Sequence, residues 1–150
     1  MNTTRRWPLA ALCILAVLIA GCGPTASAQE TAPNETPSRV EPIAGTELSR
    51  VILTEEAARR IDLQTQEVRT QSIDGVNRLV IPYAAVIYDT EGAAWAYTNP
   101  EPLTFVRQAL EIESIDGDEA ILSDGPSTGT RVVSVGTPEL YGAEFEFQEG

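Results

Sequence analysis

Beyond Leu48 the apolar residues come in runs too short for a helix, and turn formers close most of them. Val51-Ile52-Leu53, Leu79-Val80-Ile81, Val86-Ile87-Tyr88, Ile121-Leu122 and Val132-Val133 are the main runs; Pro82, Asp89 to Gly92, Asp116-Gly117 and Gly136 punctuate them. Runs of this length between turn signals read as strands, because an amphipathic helix needs apolar side chains recurring every three to four residues over a longer stretch. Trp95 and Tyr97 alternate with Ala94, Ala96 and Thr98, as on a half-buried strand. Leu103 and Phe105 keep one phase while Leu110 and Ile112 keep the other, which a bulge near Arg107 to Ala109 would reconcile. Asp116-Gly117 fits a two-residue hairpin turn. Phe145 and Phe147 alternate with Glu144 and Glu146, giving a strand with one wet face. The exception is Thr54 to Ile61: Thr54 suits an N-cap, and Glu55 and Glu56 complement the dipole of a helix of about two turns. The expected fold is mainly β, a small β-barrel or sandwich of about seven to nine short strands with one short helix, over residues 48–150.

Two segments of different character precede this domain. An apolar run from Leu9 to Ala20 follows the basic pair Arg5-Arg6 and ends in Leu18-Ile19-Ala20-Gly21-Cys22. A basic start, a short apolar middle and small residues before a cut make a secretory signal. The run would make about 18 Å of helix, against a bilayer core of roughly 30 Å, and is short for a membrane span. The stretch resembles a bacterial lipoprotein signal, whose lipobox reads Leu-x-x-Cys with small residues between. The resemblance implies a signal peptide over residues 1–21, lipidation of Cys22, and attachment through that lipid to a membrane on its extracytoplasmic side. An ordinary signal peptide with Cys22 incidental is the alternative, and both imply export. Residues 22–47 then read as the lipidated cysteine and a flexible tether, with Pro24, Pro33, Pro37 and Pro42 set among small and polar residues. As a coil, such a tether spans about 25–30 Å root-mean-square.

Composition removes several functions. The chain contains neither histidine nor lysine, and its two cysteines are Cys13, inside the signal, and Cys22. The commonest general base, the commonest metal ligand, Schiff-base chemistry and a structural disulfide are therefore absent from the expected domain. A net charge of −12 repels nucleic acid and anionic headgroups. It suits either solubility or a basic partner.

An ordered set of motifs runs through the second half. Ile81-Pro82-x-x-Ala85-Val86-x-x-Asp89-x-x-Gly92 leads to Trp95-Ala96-Tyr97, then Phe105-x-Arg107, Ser123-Asp124-Gly125, Gly129-x-Arg131-Val132-Val133-x-x-Gly136 and Glu139-Leu140-Tyr141-Gly142. This order resembles the membrane-proximal domain of periplasmic adaptor proteins, the HlyD-like membrane fusion proteins of efflux systems. Val51 to Val68 is similar to the strand with which such adaptors begin and which returns to complete the same domain. The chain departs from the family in two ways. Pro126 stands where the family usually has Leu. Gly75 to Arg78 also runs directly into Leu79-Val80-Ile81-Pro82, where a full adaptor inserts its lipoyl-like domain, coiled-coil hairpin and central barrel.

Candidate sites each carry a plainer reading. Asp116, Asp118 and Glu119, and likewise Asp89 with Glu91, offer oxygens to a cation but fit turns. Glu144, Glu146 and Glu149 form an acidic face, either solvated or set against a basic partner. Trp95 and Tyr97 are either a stacking platform for a solute or core. Arg107 meets a carboxylate, either a partner's or this domain's own. Ser123 and Ser127 have no base to activate them. No catalytic or metal site and no cofactor are expected. The resemblance implies a non-catalytic envelope lipoprotein, an accessory subunit docking on an inner-membrane efflux transporter or a full-length adaptor, with no nucleic-acid partner. The alternative is a small ligand-binding lipoprotein that captures a solute near the membrane through Trp95 and Tyr97.

Overall fold

The computed structural model of the chain describes residues 36–146. Ten strands and two helices follow in the order β1 (Ser38–Pro42), β2 (Ser49–Leu53), α1 (Glu55–Arg60), β3 (Gln64–Glu67), β4 (Arg69–Ile73), β5 (Val76–Pro82), a 3-10 turn (Tyr83–Ala85), β6 (Ile87–Tyr88), β7 (Ala94–Glu101), β8 (Thr104–Asp116), β9 (Glu119–Asp124), β10 (Arg131–Val135) and α2 (Thr137–Glu146). The strand order is β3-β10-β7-β8-β9-β5-β4, with β2 added to β8, β1 to β2, and β6 to β7. The two ends of that order, β3 and β4, are successive halves of one stretch bent at Val68, so the sheet curls back onto itself as a small barrel. Val68 joins them through its own backbone, donating to the Thr130 carbonyl at 2.8 Å and accepting from the Gly129 N–H at 2.9 Å.

Two apolar clusters lie on opposite faces of this sheet. The inner one contains Val68, Ile81, Ala85, Ala96, Leu110, Ala120, Leu122 and Val132. The outer one contains Val51, Leu53, Tyr97, Phe105, Val133 and Leu140, with Ala57, Ala58, Ile61 and Leu63 packed against it. Neighbours in sequence, Ala96 and Tyr97 or Val132 and Val133, therefore serve different cores, as the strand period of two requires. This removes the expected bulge near Arg107 to Ala109. The ladder between β7 and β8 runs unbroken from Ala94↔Leu110 to Thr98↔Val106. Phe105 and Leu110 differ in phase because one points to the outer core and the other to the inner. The irregularities of β8 lie later, between Glu111 and Ser114, against β9.

Thr54 caps α1 as its sequence predicts, its Oγ1 accepting from the Ala57 N–H at 3.1 Å. Asp74-Gly75 forms a two-residue turn between β4 and β5, with φ of +52° and +77°; this is the type I′ pattern, whose twist matches the flanking strands. At the β8–β9 hairpin the two turn residues are Gly117-Asp118, since Asp116 still pairs with Glu119. Asn99-Pro100 does not break β7: the strand continues to Glu101 through a register shift, and the Asn99 side chain donates to the Glu101 and Thr104 carbonyls.

Two expectations are corrected. Part of the stretch read as tether is strand, because Ser38–Pro42 pairs along β2 in full register and places Val40 against the outer core. The segment read as a final strand is the helix α2. Gly136, at φ +91°, turns the chain out of β10, and Pro138 sits in the first turn, where its missing N–H costs nothing. Thr137, Leu140 and Glu144 then share the buried face, a helical spacing that the Glu-Phe alternation concealed.

Candidate functional site

The most heavily charged buried site in the described domain lies where α2 crosses the outer face of β7 and β8. Tyr97 and Arg107 are directly opposed across the β7–β8 ladder, so their side chains leave the sheet together. Glu144 comes down from α2 between them, fully buried, and its Oε2 accepts from the Tyr97 hydroxyl at 2.5 Å. The Arg107 Nε lies 2.9 Å from the same oxygen. Its N–H is not aimed along that line, so the contact is an ion pair rather than an aligned hydrogen bond, and Glu144 Oε1 has no protein donor. Aromatic rings complete the enclosure. The guanidinium carbon stands 4.8 Å from the Trp95 ring centre on one strand and 4.9 Å from that of Phe145 on α2. Trp95 reaches Arg107 as a diagonal cross-strand neighbour. Phe145 also packs on Tyr141, with centroids 4.6 Å apart.

Asp89 holds Trp95 from behind. Its Oδ2 accepts from the indole N–H at 2.9 Å, while Oδ1 accepts from the backbone of Glu91 and Ala93. The indole bond, opposed by some desolvation and helped by the backbone donors, holds the Asp89 carboxyl below the usual range. The Tyr97 phenol is pushed far up, first by burial and then by the Glu144 carboxylate that holds its proton. A continuous path of contacts thus runs from the turn after β6, through Trp95 and Arg107, to the C-terminal helix.

Chemically this cluster is occupied with itself. The charge of Arg107 is met by Glu144 and two aromatic faces, and the Tyr97 hydroxyl is already committed. Arg107 therefore finds its carboxylate within the domain. Tyr97 has no open ring face for a solute, and Trp95 is half-buried beneath Arg107. Two hollows open elsewhere, both beside β1. One of about 490 Å³ is lined by Ser38, Val40, Ile52 and Thr54, and one of about 150 Å³ lies between β1, α1 and α2; neither is lined by Trp95 or Tyr97. Glu144 leaves the acidic face on which the sequence placed it, and Glu146 ends α2. Asp116, Asp118, Asp89 and Glu91 sit in or beside turns, and among the described residues no three carboxylates converge as a metal site. Ser123 donates to the Glu111 carbonyl. Cys22 and Glu149 lie outside the described residues. Sequence reading missed the convergence on Glu144, because only the helix at 137–146 brings that residue onto the sheet.

No family model matches the chain, and no curated protein matches it. Among solved structures it is similar to the NMR structure covering the N-terminal metal-binding site and the membrane-proximal domain of SilB from Cupriavidus metallidurans CH34. The identity is 19% and the TM-score 0.41. The match covers 69% of this chain and 64% of that one.

Proposed function

We propose that this chain is a non-catalytic, lipid-anchored envelope protein that serves as an adaptor-like accessory subunit of an inner-membrane efflux transporter. One observation carries the reading. The early strands β2 and β3 add to β8 and β10, so the first part of the chain completes the domain built by the later part. The junction between the two parts is the tight Asp74-Gly75 turn. In the adaptors that the motifs of Ile81 to Gly142 resemble, that junction carries the inserted domains. The chain is then a membrane-proximal domain closed on itself, held at the membrane through Cys22 and the residues that follow it. Such an anchor raises the effective concentration of the domain beside any membrane partner.

Two further points support a scaffolding role over catalysis. The chain has no histidine or lysine. The buried charged cluster is spent on holding α2 to the sheet. The test is affinity purification of the full chain from membranes in mild detergent. A transporter subunit should co-purify with the native chain, and recovery should fall about tenfold or more with Cys22→Ala, given the 10²–10⁴-fold gain that tethering can supply. Recovery of no transporter subunit would overturn the proposal.

A further inference from the structure

Five large apolar side chains stand substantially in water among the described residues: Val76, Tyr83, Tyr88, Ile115 and Val135. Three of them lie on the β8–β9 hairpin, on the 3-10 turn that follows β5, and on β6 just beyond that turn. The Tyr83 N–H donates to the Asp118 carbonyl at 2.8 Å, which fixes the turn onto the hairpin tip. Pro82 pairs with Glu119, and Ile115 lies just before the tip on β8. Tyr88 ends β6, the two-residue strand that leaves this turn after the Val86 N–H donates back to the Tyr83 carbonyl at 3.0 Å; partial burial first, then the Tyr83 phenol, raise its own phenol above the ordinary value. Tyr83, Tyr88 and Ile115 are 42%, 51% and 43% exposed, so this is not core that has been rounded off. Val76 lies at the opposite end of β5 and Val135 beside Gln64, each away from this group.

The rim of the patch is acidic in a way the fold does not use. Asp116 and Glu119 are direct cross-strand partners, an arrangement that destabilises a ladder. Arg69 answers Glu119, but among the described residues neither Asp116 nor Asp118 has an ion-pair partner. Exposed tyrosines supply large contact area with few torsions to freeze, and carboxylates at a rim steer a cationic surface and fix its register.

We propose that this end of the barrel, with Tyr83, Tyr88 and Ile115 at its centre and Asp116 and Asp118 at its rim, is the docking surface of the domain. Its occupant is a protein surface presenting arginine or lysine around an apolar centre. The proposal rests on the transporter-docking reading and assigns that contact to one face, with the transporter subunit as the basic partner.

The experiment places a photo-cross-linking phenylalanine at position 83, 88 or 76 of the full chain and irradiates intact membranes. Cross-links to a transporter subunit should form from 83 and 88 and be roughly fivefold or more weaker from 76. They should fall about fivefold with Asp116→Asn/Asp118→Asn, and similarly when salt rises from about 0.05 M to about 0.5 M, because rim charges act through a screened field. If the transporter co-purifies but cross-links arise from 76, or survive both the charge change and the salt, the surface is wrong and the accessory role stands. If no transporter is recovered from any variant, the accessory role fails and the surface with it. Cross-links from 83 and 88 to lipid alone would also overturn the assignment.

Discussion

Replacing Glu144 by Leu tests the clamp between α2 and the sheet. The side chain is fully buried and accepts both the Tyr97 hydroxyl and the Arg107 charge at one oxygen. Its loss leaves a guanidinium without a counter-ion and a phenol without an acceptor, both under a helix. Removing one partner of a buried pair costs about 3–5 kcal/mol, most of it the penalty on the charge left behind. A domain of this size has a stability on the order of 5–15 kcal/mol, so a large share is lost. At about 4–8 °C per kcal/mol for a domain of this size, the unfolding midpoint should drop by roughly 12–40 °C. Arg107→Met should cost a similar amount, since it strands the carboxylate. The double variant Arg107→Met/Glu144→Leu removes both charges and should recover at least about 2 kcal/mol relative to the sum of the singles. Urea and thermal unfolding in detergent, followed by circular dichroism and by Trp95 fluorescence, would measure the cycle. Singles that each cost under about 1 kcal/mol and add without coupling would refute the clamp.

Three other outcomes follow from the same geometry. Because the folded-state Tyr97 phenol titrates far above its unfolded value of about 10, the stability it contributes is complete below pH 10. That contribution is lost as pH rises beyond 10; Tyr97→Phe should flatten the alkaline loss, and an identical alkaline profile in the variant would contradict this assignment. The lowered Asp89 carboxyl works in the opposite direction, stabilising above pH about 4 and losing that effect as pH falls through its depressed value. Asp89→Asn should therefore remove part of the acid sensitivity and shift the Trp95 emission, and unchanged emission would mean the indole bond is not maintained. Thr54→Ala should cost about 1 kcal/mol by exposing the Ala57 N–H, measurable as a lower urea midpoint with an unchanged slope; no change would place the capping role elsewhere.

Legibility in the sequence followed the range of the interactions. The cap of α1, the turn from Asp89 to Gly92 and the alternation of Trp95 and Tyr97 are local, and each appears where the residues place it. The opposite phases of Phe105 and Leu110 were visible, but their cause was not: a strand buried on both faces feeds two cores, and only the sheet order reveals the second. For α2, Gly136-Thr137-Pro138-Glu139 is a legible helix start, yet the later Glu-Phe alternation competes with it. The strand β1 has polar, proline-flanked composition and earns no hydrophobic signal of its own; pairing with β2 is what orders it. The Arg107–Glu144 contact joins residues from a strand and a helix whose relative placement no local pattern encodes.

The outer core has a consequence for the order in which the chain can assemble. Val51 and Leu53 come from the early strand β2 and Leu140 from α2, so early and late segments meet over Tyr97, Phe105 and Val133. A nascent or truncated chain ending before Thr137 holds the residues of the inner core but leaves that second apolar face uncovered. Completion of the final ten-residue helix is the event that seals it. Truncation before α2 would therefore yield a sticky, protease-sensitive species rather than a slightly shorter domain.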